Sequence, residues 1–226
     1  MSLVHVVNHS IEGRDLYYDS QDYARFVHDM YEFNRPAAAN NTTRHYTKPK
    51  MNDIRCRSFV ERPHVQLVYV HAWCLMRDHY HLLLSDATEN GVHDFMRKVN
   101  IGYAKFHNEK HHRKGFVFRG KTKMVPVTEQ GHFLHVFNYV HFNPLDYLPG
   151  AESWRTYSIN DAREAYEHLQ AYKWSSFQDY IGVRNFPSII DRELYDEVYP
   201  NYAKLVRTQL QDLGEHVLPG KEWWGE

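Results

Sequence analysis

The segment His79-Tyr80-His81 sets two imidazoles one residue apart, and the run Leu82-Leu83-Leu84 follows it. In an extended chain alternate side chains share a face, so His79 and His81 project together while Tyr80 points the other way. Two imidazoles side by side on a rigid strand form a chelating pair for a divalent metal. The chain holds 17 histidines in 226 residues, and chance placement alone yields about one such spacing. Spacing therefore leaves two readings open, a metal-binding pair or two histidines satisfied at a sheet edge.

A second group lies on a stretch of helical spacing, 129–142. With about 100° between successive residues, Phe133, Val136, Phe137 and Val140 form one apolar face. His132, His135, Tyr139 and Asn143 fall on a separate polar stripe, with Tyr139 and Asn143 four apart and so stacked. A tyrosine in that position is commonly a boundary residue with its hydroxyl in water. Its other use is chemical. A phenol with a pKa near about 10 is a poor nucleophile at neutral pH. A divalent ion beside it withdraws charge from a phosphate under attack and holds the attacking and leaving oxygens in line. Two histidines and an amide oxygen leave positions on the ion for phosphate oxygens and water. Such a mixed set suits Mg2+, Mn2+ or Zn2+, with affinity alone favouring the later transition metals.

The formal net charge of −1 hides a strong asymmetry. Between 97 and 123, the bases Arg97, Lys98, Lys105, Lys110, Arg113, Lys114, Arg119, Lys121 and Lys123 meet one acid, Glu109, whereas the chain beyond 127 is acidic. The block is either a polyanion-binding face or a solvated surface. Arg97, Lys98 and Lys105 lie on or near one helix, while Arg119, Lys121 and Lys123 alternate and share one face of an extended segment. Rows of this kind track a phosphate backbone and make binding fall steeply with salt. Phe116 and Phe118 could stack on exposed bases, although core packing is the commoner fate of phenylalanine.

These groups need a scaffold. Leu3–Asn8 reads as a strand, and Ser20–Asn34 as a helix with Ser20 placed to cap it. Gln66–Leu84 carries the strongest strand signal, interrupted by a polar break at 77–81 that fits a hairpin turn or a bulge. Gly91–Asn108 is helical, Phe116–Val127 a strand or hairpin, and Glu129–Phe142 a helix that Pro144 ends. The alternation of strands and helices predicts an α+β fold with helices covering one face of a sheet. The region 35–62, polar and turn-rich over Arg35–Arg55, reads as a long loop or ordered insertion. After Leu148 the composition turns acidic and rich in Trp and Tyr, which divides a core domain, 1–148, from a C-terminal extension, 149–226. The two cysteines, Cys56 and Cys74, form no CxxC pair, as fits a reducing compartment. No stretch approaches the ~18 apolar residues of a membrane span, and Met1–Asn8 is no signal peptide. The expectation is a soluble, cytoplasmic protein with no membrane partner.

The run Met76-Arg77-Asp78-His79-Tyr80-His81-Leu82-Leu83-Leu84 resembles the MPxHxHLLL signature of the single-tyrosine HUH transposases. Tyr139-Val140-His141-Phe142-Asn143-Pro144 resembles their YxxxNP helix end. Tyr103-Ala104-Lys105-Phe106-His107-Asn108 and Gly115-Phe116-Val117-Phe118-Arg119-Gly120-Lys121 are similar to two intervening segments of that family. Trp174-Ser175-Ser176-Phe177 with Tyr180 is similar to the WSSyxxY of its REP-associated members. The resemblance implies a ferredoxin-like (RRM-like) antiparallel sheet with the histidine pair on a central strand. It implies that Tyr139 attacks a phosphate of single-stranded or hairpin DNA, leaving a 5′-phosphotyrosine and a free 3′-OH. His79 and His81 would then be metal ligands, Asn143 would occupy the third ligand position, and the ion would be Mg2+ or Mn2+. A homodimer, with the tyrosine acting in its own chain or across the pair, is left open. Arg77 departs from the family's proline, the 35–62 region is longer than usual, and the overall basic balance is missing.

Two other functions fit the same residues. One is a module that binds nucleic-acid hairpins without cutting them. The other is a hydrolytic metalloenzyme using a metal-bound water, its site completed by His71, His132, His135 or Asp78.

Overall fold

The computed structural model describes residues 2–37, 65–128 and 130–215, so most of the expected 35–62 insertion lies outside the described residues. Four strands form an antiparallel sheet: β1 (Leu3–His9), β2 (Val68–Leu75), β3 (His79–Asp86) and β4 (Lys123–Val127). Their order is β2-β3-β1-β4. Helix α1 (Ser20–Phe33) follows β1, and α2 (Gly91–Lys110) stands between β3 and β4. This is an α+β sheet of ferredoxin-like order, with β3 and β1 as its inner strands.

Strand alternation sorts the side chains between two faces. Val6, Tyr80, Leu82 and Leu84 are buried on the face covered by α1 and α2. There Tyr80 packs on Phe26 with centroids 4.9 Å apart, and its hydroxyl donates to Asn100 Oδ1 at 2.8 Å. The register places Val7 opposite His81 and His9 opposite His79, so these side chains share the other face. Helix α3 (Gln130–Phe142) lies over that second face. The two crossover helices thus occupy one face as expected, and a helix from beyond the core motif occupies the other.

What holds α3 in place is the chain that follows it, which comprises α4 (Ala162–Ala171), α5 (Phe177–Tyr180), α6 (Glu193–Val198) and α7 (Tyr202–Gly214). Phe137 stacks on Tyr195 at 3.8 Å and meets Tyr180 and Tyr202 edge-on. Burying those rings fixes the rotation of α3 about its axis, because each carries a large apolar area. The apolar face turns toward the extension, which leaves Tyr139 facing the sheet. The same extension covers the outer edge of β2. Leu75 N–H donates to Trp174 O at 2.9 Å, Ser176 N–H to Trp73 O at 2.9 Å, and Asp191 N–H to Val70 O at 2.7 Å. An unpaired edge strand is a site for unwanted association, and these bonds close it.

Local details differ from the sequence reading at two places, the cap of α1 and the segment 116–127, and at a third the structure decides between two readings. The cap of α1 is Asp19, whose carboxylate accepts from Gln21 and Asp22 N–H, one residue before the expected Ser20. The polar break before the histidines is a hairpin turn, Met76-Arg77-Asp78, closed by Met76 N–H to His79 O at 2.8 Å. The extended segment 116–127 is a strand only from Lys123, because Gly120 at φ +66° turns the chain. Ahead of that turn Phe118 bridges Ser10 and packs near Tyr80 and Tyr103, while Phe116 is 83% exposed. Among the described residues no helix is long and apolar enough to cross a membrane.

Candidate active site

The tight turn before β3 determines how the histidines are presented. Arg77 N–H donates to the Tyr147 hydroxyl at 2.7 Å, Arg77 O accepts from Leu16 N–H at 2.8 Å, and Asp78 O accepts from Ser10 N–H at 2.7 Å. A proline at 77 could not make the first of these bonds, since it has no N–H. Arginine at 77 therefore gives the turn a donor, which anchors it to Tyr147.

His79 and His81 stand together on the sheet face, ring centroids 4.9 Å apart. Each has its Nδ1 engaged. His79 Nδ1 lies 2.7 Å from Asp78 Oδ1, and His81 Nδ1 lies 3.0 Å from His5 Nε2. A partner on one ring nitrogen selects the tautomer and orientation that leave Nε2 to a metal. Burial holds His81 well below the ordinary histidine value, with His79 and His5 adding to the effect. Burial likewise pushes His5 down to about 4, with Lys123 contributing. Asp78 is held below the usual carboxylate range by its bond from His79. At neutral pH the site therefore combines uncharged imidazoles at His5 and His81 with an ionised carboxylate at Asp78, donors that fit a divalent cation.

Tyr139 projects from α3 onto this cluster. Its ring meets His81 edge-on at 5.4 Å and His5 edge-on at 5.7 Å. The hydroxyl-bearing ring is half-buried, and on its other side it lies 5.6 Å from Trp154. Asn143 sits one turn further on. Its amide NH2 donates to Tyr139 O at 2.7 Å, and its Oδ1 accepts from Arg155 at 2.8 Å. Asn143 is fully buried.

Arg155 was not singled out in the sequence, yet it joins the whole group. Its guanidinium bonds Asn143 and Asp146, lies 4.2 Å from the Trp154 ring centroid and 5.5 Å from that of Tyr139. Burial opposes its charge, but the bonds and charge of Asp146 and a bond with Tyr139 outweigh that and raise its pKa. A planar guanidinium with several donors fixes the position of the phenol it bonds. No local motif marks this residue; it enters from the extension. His5 and His9 were also passed over as site residues, although their spacing on β1 puts both on one face.

The basic residues divide. Lys123 pairs with Val7 in register and so lies on the histidine face. Arg119 N–H bonds His9 O at 2.7 Å, and the charges of Arg119 and Lys123 both act on His9. Lys105, Lys114 and Lys121 are exposed, Arg113 is partly so, and Arg97 pairs with Asp94 at 3.2 Å. Lys98 is spent on structure, its ammonium donating to the carbonyls of Arg35, Pro36 and Ala37. Of the other candidate ligands, His71 is buried against Ser85 Oγ at 2.7 Å, and His135 is buried on α3. The side chain of His132 lies outside the described residues.

No protein-family model matches the chain, and no curated protein matches it. Among solved structures it is similar to that of a REP-associated tyrosine transposase bound to a REP hairpin, at 12% identity and a TM-score of 0.48. The match covers 86% of this chain and 88% of that one.

Proposed function

We propose that this chain nicks and rejoins single-stranded or hairpin DNA, with Tyr139 as the nucleophile and a divalent ion, Mg2+ or Mn2+, at the His79/His81 pair. The observation that carries the reading is the approach of the Tyr139 ring to within 5.4 Å of His81, on the face where both imidazoles are held by partners. The bound cation would supply Lewis-acid polarisation of the scissile phosphate. The phenolic oxygen of Tyr139 gives its proton to water and forms the new bond to phosphorus as the bond from phosphorus to O3′ breaks. The departing O3′ takes a proton from water and becomes the free 3′-OH. Arg155 bonds the phenol and holds it in position. Arg119 and Lys123 line the approach for the phosphate backbone. The pairing of Tyr139 with His81 of the same chain supports attack within one chain. Asn143, the expected third ligand, adjoins the same cluster, and its oxygen accepts a bond from Arg155.

The test is incubation with hairpin-bearing single-stranded oligonucleotides and Mn2+, followed by denaturing electrophoresis. A slower-migrating protein–DNA adduct is expected from the wild type and none from Tyr139→Phe. Cleavage by Tyr139→Phe at the wild-type rate would refute the mechanism. Tight metal-independent hairpin binding with no adduct would identify a binding module instead.

A further inference from the structure

His9 ends β1 directly across from His79, and the two imidazoles stack with centroids 4.5 Å apart and planes inclined by 22°. Asp78 sits beside them at the end of the turn. One donor atom from each of His9, Asp78 and His79 lies within 4.8 Å of the other two. An ion bound at ~2.0–2.2 Å by nitrogen and oxygen ligands brings its donors to about 3–4 Å from one another. Turning the exposed His9 ring out of its stack on His79, and exchanging the bond between Asp78 and His79 for the ion, would let these three groups face one cation. Among the described residues no other trio of His, Cys, Asp or Glu is arranged this way.

The amide of Asn143 is in the opposite situation. Both its ends are bonded, one to Arg155 and one to Tyr139 O, and the residue is fully buried. An ion would have to share that oxygen with the Arg155 guanidinium, whose positive charge opposes a cation beside it. His9 is solvent-exposed, and His79 and Asp78 are partly so, so an ion and a phosphate can both reach them.

We propose that His9 and Asp78 complete the metal seat begun by His79, in place of the helix-borne amide of Asn143. This rests on the reading above that a divalent ion serves the site. Two imidazoles and one carboxylate, with His81 adjoining, favour Mn2+, Co2+ or Zn2+ over Mg2+, which prefers oxygen ligands and retains its water. With three protein ligands on one side, the positions facing solvent stay open for phosphate oxygens.

Mn2+ binding to the full chain, measured by electron paramagnetic resonance without DNA, tests the assignment. His9→Phe keeps the stacked ring and removes the lone pair, and it is expected to weaken Mn2+ binding at least tenfold. Asp78→Asn should weaken binding at least fivefold, and Asn143→Ser less than threefold. Melting curves without metal check that each variant folds. Wild-type affinity in His9→Phe or Asp78→Asn, together with lost binding in His79→Ala, would overturn this ligand set and leave the function intact. Wild-type affinity in His79→Ala would remove the ion from the site and take both proposals with it.

Discussion

Arg155 donates to the Asn143 amide oxygen at 2.8 Å, which ties the chain beyond the core to the end of the helix that carries Tyr139. The contact makes the extension part of the site. Arg155→Ala is expected to slow adduct formation about 100-fold under single-turnover conditions, with DNA affinity changed less than about threefold, because it disturbs the position of the nucleophile. Arg155→Lys should not restore the rate, since an ammonium cannot span Asn143, Asp146 and Tyr139 as a planar fork does. An affinity loss as large as the rate loss would mean that Arg155 binds DNA and does not position the phenol.

Lys123 and Lys98 are both basic, but only the first faces the histidines. Lys123→Ala is expected to lower the slope of log affinity against log salt by about 1. Lys98→Ala should leave that slope unchanged and lower the melting temperature, because its ammonium holds three carbonyls at the end of α1. Filter binding over a range of salt concentrations separates the two outcomes.

Burial pushes both His71 and His107 down to about 4 from the ordinary 6.5. The unfolded chain therefore binds more protons than the folded one between those values. Stability is complete above pH 6.5 and declines as the pH falls toward 4. Between pH 7.5 and 5 these two rings contribute about 2–4 kcal/mol of loss, or roughly 5–15 °C in Tm for a chain of this size, and His5 and His141, which burial pushes down to about 4 and about 3, add to it. A flat melting temperature over that range would show that neither ring is buried uncharged.

Gly102 faces α1 from the middle of α2. A Cβ built there would stand 2.2 Å from Phe33 Cε2, and Phe33 is itself buried. Replacing a helical glycine with alanine ordinarily stabilises by about 1 kcal/mol. Here the close approach of the helices reverses the sign, and Gly102→Ala is expected to cost about 1–3 kcal/mol by denaturant unfolding. A gain in stability would show that the ring can move aside.

Tyr139 and Asn143 show how far the sequence could be read. Helical periodicity placed them on one stripe, and the alternation of β3 placed His79 and His81 on one face. Strand and helix types over the core were also legible, since long periodic stretches leave few alternatives. The misplaced cap at Ser20 and the overlong strand at 116–127 arose where a neighbouring Asp19 and a left-handed Gly120 decided the boundary.

Amino-acid order by itself determined which side chains travel together, because the repeats of strand and helix are local geometry. It did not determine what those groups would meet. The partnership of His9 with His79 depends on the register between strands about seventy residues apart. The turning of Tyr139 toward the sheet depends on Phe137 finding Tyr195, and the presence of Arg155 on an extension that also covers the edge of β2. Those contacts arise from burying apolar surface and pairing backbone groups across the whole chain, quantities that no short window of sequence contains.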